Sequence, residues 1–303
     1  MRMAILRTLS LALASITALS CSAAGSVDGL TNQGSNDAGS DAASFLDSAQ
    51  QLDSNIETGS TSAFGEVYAH SATQLYRLDP LAKSISVIGT FDCVVADTSS
   101  GFGMWDIAVD KDGRVFGSVV QASGSQLVRI DKTNASCSTV ATAADLPNSL
   151  TFVPAGVLDP VNETLVGYSG STYLRIDKTT GTATVIGNLN PNATGKSWSS
   201  SGDIVSVIGT DTYLTAVQLD ATTPSIEGDF VLQVDPKTGR ALKVVGPTHF
   251  SQLWGLGFWA GTAYGFGATG ELCAIDLATG AGSSLVIPGL PEDTQFWGAG
   301  VTT

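Results

Sequence analysis

Basic residues are scarce in this chain: 14 Lys and Arg stand against 28 Asp and Glu over 303 residues, a net charge of −14. That balance argues against the phosphate-neutralising surface nucleic-acid binding requires and against adsorption to anionic lipid. Histidine is scarcer still, with only His70 and His249, far apart in sequence and read as isolated surface or satisfied core residues rather than as a pair of ligands. The cysteines show no zinc-site spacing. No Gly-x-Ser-x-Gly elbow and no phosphate-binding glycine loop occur. Asp110-Lys-Asp-Gly113 lacks the downstream acidic residue of a calcium loop and reads as a hairpin turn with Gly at positive φ. No apolar stretch in the body is long enough to cross a bilayer, and no long 3.6-residue apolar period exists, which excludes helical repeats. No cofactor and no metal are expected.

The first sixty residues differ from the rest. Arg2 and Arg7 precede a short apolar stretch from Leu9 to Leu19, so residues 1–20 read as an export signal. Ala18-Leu19-Ser20-Cys21 resembles the lipobox of bacterial lipoproteins, which makes Cys21 the expected acylated residue; cleavage after Ala23 or Ala24 is the alternative. From there to residue 62 the chain is rich in Ser, Gly, Ala, Asp and Asn and carries no Lys or Arg. Such a composition buries too little apolar area to offset its ordering entropy and reads as an acidic, disordered tether. The expected location is the bacterial outer membrane or cell surface, or the periplasm or medium if Cys21 is not acylated. The only membrane contact is then the N-terminal lipid.

What is present in the body, residues 63–303, is a repeated phrase: a short apolar run ending in Asp, a polar turn, and a second short apolar run. The copies end at Asp79, Asp131, Asp177, Asp235 and Asp276, with spacings of 52, 46, 58 and 41 residues. Turns such as Lys178-Thr-Thr-Gly181, Pro236-Lys-Thr-Gly239 and Leu277-Ala-Thr-Gly280 follow the aspartates. The clearest unit, from Leu253 to Ile287, reads as four short antiparallel strands joined by hairpins, which is the signature of a propeller blade. The domain opens at Gly65 to Ala69 with a second strand and no first. It closes at Thr294 to Val301 with a first strand and no second, and that strand mirrors Ser251 to Phe258. The expectation is an all-β, five-bladed propeller of four-stranded antiparallel blades, sealed by the C-terminal strand joining the N-terminal blade. Each repeated Asp is expected to accept N–H bonds from its own turn.

The pattern resembles exported bacterial β-propeller families built on Leu-x-x-Ile-Asp-x-x-Thr-Gly units. The resemblance implies the fold of residues 63–303 and says almost nothing about activity.

Aromatic residues recur near the start of the first strands: Trp105, Phe152, Trp198, Trp254 and Trp297. They form either a ligand platform at the channel mouth or packing between blades. Asp106, beside Trp105, is the one carboxylate at its repeat position, with Val153, Gly255 and Gly298 taken as its counterparts. Export favours a disulfide, and Cys93 with Cys137 is the expected pair, leaving Cys273 as a buried strand thiol. The expected function is a non-enzymatic, monomeric, envelope-anchored ring that binds a protein or glycan partner through its loop face. The alternative is an exported polysaccharide hydrolase or lyase using Asp106 and Asp203, which requires two carboxylates facing each other at the mouth.

Overall fold

The computed structural model describes residues 65–302 apart from Ala96, Thr210, 221–226 and Glu292. The expected signal segment, Cys21 and the tether lie outside the described residues. Among those described, twenty strands form five four-stranded antiparallel sheets. The first blade runs β20 (Gly298–Val301), β1 (Val67–His70), β2 (Gln74–Asp79), β3 (Ser84–Thr90). The second holds β4 (Gly103–Val109), β5 (Val115–Gln121), β6 (Gly124–Ile130) and β7 (Cys137–Ala143). The third holds β8 (Thr151–Val153), β9 (Thr164–Ser169), β10 (Thr172–Ile176) and β11 (Ala183–Asn188). The fourth holds β12 (Trp198–Ser206), β13 (Thr212–Gln218), β14 (Phe230–Val234) and β15 (Ala241–Pro247). The fifth holds β16 (Leu253–Trp259), β17 (Thr262–Gly267), β18 (Leu272–Ile275) and β19 (Gly282–Leu285).

The ring closes as the sequence predicts. β20 pairs antiparallel with β1, placing Val301 opposite Val67 and Gly298 opposite His70. The inner strands β4, β8, β12, β16 and β20 each touch the next around the circle, and β12 also reaches β20 across it. The centre is therefore narrow. Inner strands are covered on both faces, which is why β8 and β20 are buried at every position and read as runs of apolar or small residues. Outer strands such as β3 and β11 show water on one side, where Ser84, Ser86, Thr90 and Thr184 are exposed together with Val87 and Val185. The hydrophobic clusters lie between blades: one joins the first and second, another the second and third, another the third and fourth, and the largest runs through the fourth, fifth and first.

The repeated aspartates hold their own turns. Asp177 Oδ1 accepts the N–H groups of Thr179 and Thr180, Asp131 that of Thr133, Asp235 that of Lys237 and Asp276 that of Ala278. Each turn needs one left-handed residue, supplied by Gly181, Gly239 and Gly280 in three blades and by Lys83 and Ala135 in the other two. The turns also lock the blades together. A Cβ on Gly89, Gly187 or Gly246 in the outer strands would strike the carbonyl oxygen of Asn134, Thr238 or Thr279 in the following blade's turn. The glycine is the socket into which the neighbour's Asp-turn fits.

Candidate functional site

Five backbone amides, one from each blade, converge on two side chains at the centre of the ring. Leu150 N–H donates to Asp106 Oδ2, Ile204 N–H to Asp203 Oδ1 at 2.6 Å, and Leu256 N–H to Asp203 Oδ2 at 2.9 Å. The N–H groups of Ile107 and Ala299 turn to Asp106 and Asp203 respectively. Both carboxyls are fully buried and hydrogen-bond to each other. Burial raises both well above the ordinary carboxylate range, and for Asp106 the neighbouring Asp203 charge pushes further in the same direction. Two buried carboxyls in contact share a proton, because both cannot ionise side by side. Backbone N–H bonds from Ile204, Leu256 and Ala299 oppose the rise on Asp203, and those from Ile107 and Leu150 oppose it on Asp106.

His70, at the upper end of β1, completes this cluster. Its ring is fully buried, with Nε2 3.5 Å from Asp106 Oδ1. Nδ1 lies 2.9 Å from the carbonyl oxygen of Ser71, which can only accept, so the proton sits on Nδ1. Burial pushes the imidazole down to about 4, so His70 is neutral and its approach to Asp106 is not an ion pair. Neither Nε2 nor Asp106 Oδ1 has a hydrogen-bond partner among the described residues. Gly298, opposite His70 on β20, makes room for both: a Cβ there would collide with each of these two atoms.

Asp203 corrects the expectation that Asp106 stands alone at its repeat position. The true counterparts of Asp106 are Ser149, Asp203, Gly255 and Gly298, each preceding the amide that points to the axis. Val153 lies farther along β8, opposite Thr164. A register shift between Ser200 and Ile204 in β12 displaces Asp203 from its nearest aromatic and hides the correspondence. His70 was also unexpected as a central residue; the only signal was its place at the end of the seam strand. His249 is exposed in the loop before β16.

Of the five tryptophans, Trp259 ends β16 and is half-buried at the opposite end of that strand from Trp254; the other four divide into two groups. Trp105 and Trp254 sit in β-bulges of β4 and β16, and Trp297 immediately precedes β20; all three are half-buried. A bulge re-aims a side chain off the regular alternation, and here it turns the indoles toward the end of the ring where the inner strands begin. The fifth, first and second blades are neighbours, so the three form one arc. Trp254 and Trp297 meet edge to face with centroids 6.2 Å apart. Trp105 donates its indole N–H to Gly101 O. Trp198 and Phe152 do not belong to the arc, which corrects the five-membered platform. Trp198 is fully buried on Phe230 with its N–H on Thr194 Oγ1, and Phe152 is fully buried against Phe116. They fill the space between blades, because neither stands within a single-residue bulge like those that hold Trp105 and Trp254; the irregularity of β12 comes after Trp198.

Cys93 and Cys137 form a disulfide with Cα atoms 5.5 Å apart, linking the chain after β3 to β7. Cys273 is a buried thiol in β18 whose pKa burial pushes up to about 12, so it is not a thiolate at neutral pH. Asp92, Cys93 and Cys137 bring metal-ligating atoms together, but both sulfurs are spent on the disulfide.

The sequence matches no family model. No curated protein matches it either. Among solved structures, BamB from Moraxella catarrhalis is similar at 15% identity and a TM-score of 0.30, over 73% of this chain and 60% of that one. The chain thus spans about 60% of the length of that structure.

Proposed function

We propose that this ring is a non-enzymatic binding protein of the cell envelope that takes a glycan at the mouth bearing Trp105, Trp254 and Trp297. The observation that carries the reading is the arc itself: three indoles from three adjacent blades, each half-open to water at the end of the ring where the inner strands begin, two of them in edge-to-face contact. Among the described residues the indole N–H groups of Trp254 and Trp297 have no protein acceptor, unlike those of Trp105 and Trp198. An apolar face with a free donor at its edge suits a sugar ring, which presents C–H groups on its faces and hydroxyls around its rim.

Binding is favoured over cleavage by the state of the two central carboxyls. Asp106 and Asp203 are wholly buried and bonded to each other. Glycosidases hold their two carboxyls roughly 5–10 Å apart with the scissile bond between them. A pair in mutual hydrogen bond leaves no place for that bond, and its backbone partners give it a structural task. Gly65, where the described chain begins, lies beside Thr302 at the ring end opposite Trp297.

Titration calorimetry against a panel of oligosaccharides tests the proposal. Trp254→Ala should weaken binding at least tenfold while the melting temperature stays within a few degrees. Unchanged affinity, or no binding of any glycan by the intact chain, would remove the glycan reading.

A further inference from the structure

Beside Trp297 the mouth opens into a groove of about 280 Å³. One wall is the β1–β2 hairpin with Thr73, Gln74 and Tyr76; the other is the segment leading into β20, with Asp293, Gln295 and Trp297. Cavities that hold small ligands run from roughly 300 Å³ upward, so this one suits a single sugar ring whose neighbours extend toward Trp254. Among the described residues its lining contains one carboxylate, Asp293, and no Lys or Arg.

Two local bonds prepare the groove. Tyr76 is largely buried, packed edge to face on Phe296, and its hydroxyl donates to Gln74 Oε1 at 2.8 Å. That bond fixes which end of the Gln74 amide is which: the oxygen is engaged and the NH₂ end, with two donors, is left to point elsewhere. The exposed Asp293 and Gln295 offer acceptors and donors across from it. A flat indole, a held amide and an opposing carboxylate are the groups that read a polyhydroxylated ring. The carboxylate accepts from paired hydroxyls and the amide donates to a hydroxyl or ring oxygen. A uronate or sulfated sugar would meet Asp293 and the overall charge of −14 with no cation in the lining to offset it.

We infer that the groove formed by Gln74, Tyr76, Asp293 and Trp297 is a subsite for an uncharged hexose residue of a neutral oligosaccharide, and that it discriminates against uronic acids. The inference rests on the glycan reading above and adds the place and the charge class.

Calorimetry with the mature full-length chain tests it, using maltohexaose, cellohexaose and chitohexaose as neutral probes and hexagalacturonate as the charged one. At least one neutral hexamer should bind, and hexagalacturonate should bind at least tenfold more weakly. Asp293→Asn, a surface change, and Gln74→Ala, which also removes the acceptor of the Tyr76 hydroxyl, should each weaken the neutral ligand about fivefold or more, with the melting temperature of each variant measured alongside. In Asp293→Asn the penalty against hexagalacturonate should shrink. If Trp254→Ala and Trp297→Phe weaken binding but Asp293→Asn and Gln74→Ala do not, the tryptophan mouth stands and this subsite falls. If hexagalacturonate binds as tightly as the neutral hexamers, or none of the neutral probes binds, the inference is overturned.

Discussion

Asp106 from the second blade and Asp203 from the fourth hydrogen-bond to each other at the centre of the ring, where the inner-strand amides of all five blades turn toward them. A closed ring of inner strands leaves unpaired N–H groups aimed at its own axis, and a narrow centre admits no bulk water to satisfy them. Buried backbone donors must be paired. Two carboxyl groups that share one proton still supply acceptors for the amides in the space of two short side chains, more than a pair of amides could.

Asp106→Asn keeps an acceptor for Leu150 N–H and places its NH₂ beside the unpartnered His70 Nε2, and should cost less than about 1.5 kcal/mol. Asp106→Ala strands the Leu150 amide and leaves the buried Asp203 carboxyl without its partner, and should cost about 3–5 kcal/mol. Urea unfolding of the two variants reads the difference directly. Equal losses would mean that no proton is shared between the two groups.

Acid should destabilise the ring through His70. In the unfolded chain its imidazole titrates near 6.5 and in the fold at about 4. Between these values the unfolded chain holds the extra proton, so stability present above pH 6.5 is lost as the pH falls toward 4, by about 3 kcal/mol. The raised carboxyl pair works the other way: it favours the fold below the ordinary carboxylate value, and that contribution is lost as the pH rises through the raised values. His70→Asn keeps a donor for Ser71 and removes the titrating ring. Its stability, followed by urea unfolding from pH 4 to 7, should fall less on acidification than that of the native chain. Parallel profiles would show that His70 is not held neutral.

Gly187→Ala should cost about 2 kcal/mol or more, because the new Cβ would overlap the carbonyl oxygen of Thr238 in the fourth blade's turn. Neither partner is a flexible side-chain end, so backbone must move to relieve the overlap. Ala141→Gly in β7 is the control. There the second blade already carries alanine, in contact with Gly181, and the change should cost under about 1 kcal/mol. Thermal unfolding of both variants checks the contrast, and a Gly187→Ala ring as stable as the native one would refute the socket.

The Asp-turn periodicity, the unmatched strands at the two ends and the turn glycines made the fold legible, since each is a local pattern repeated often enough to count. The outer-strand phrases Val87-Ile-Gly89, Val185-Ile-Gly187 and Val244-Val-Gly246 were equally visible. Their meaning was not, because the carbonyl that each glycine accommodates belongs to another blade. The aromatic stripe is visible in the sequence, but its residues do not share one orientation. Phe152 and Trp198 stand near the start of a first strand like the others, yet they lack the single-residue bulge that turns Trp105 and Trp254 outward. His70 and Asp203 gave no local sign of their partnership with Asp106, being 36 and 97 residues distant from it in sequence.

Sequence alone determined the blade count, the seam between β1 and β20 and the role of each repeated Asp, because hairpins, turns and alternation are set by neighbours along the chain. Only the tertiary structure decided which tryptophans face water and that a histidine and two aspartates share one dry space. Those outcomes depend on bulge positions and on ring closure, which bring together the inner edges of blades that share no local contact.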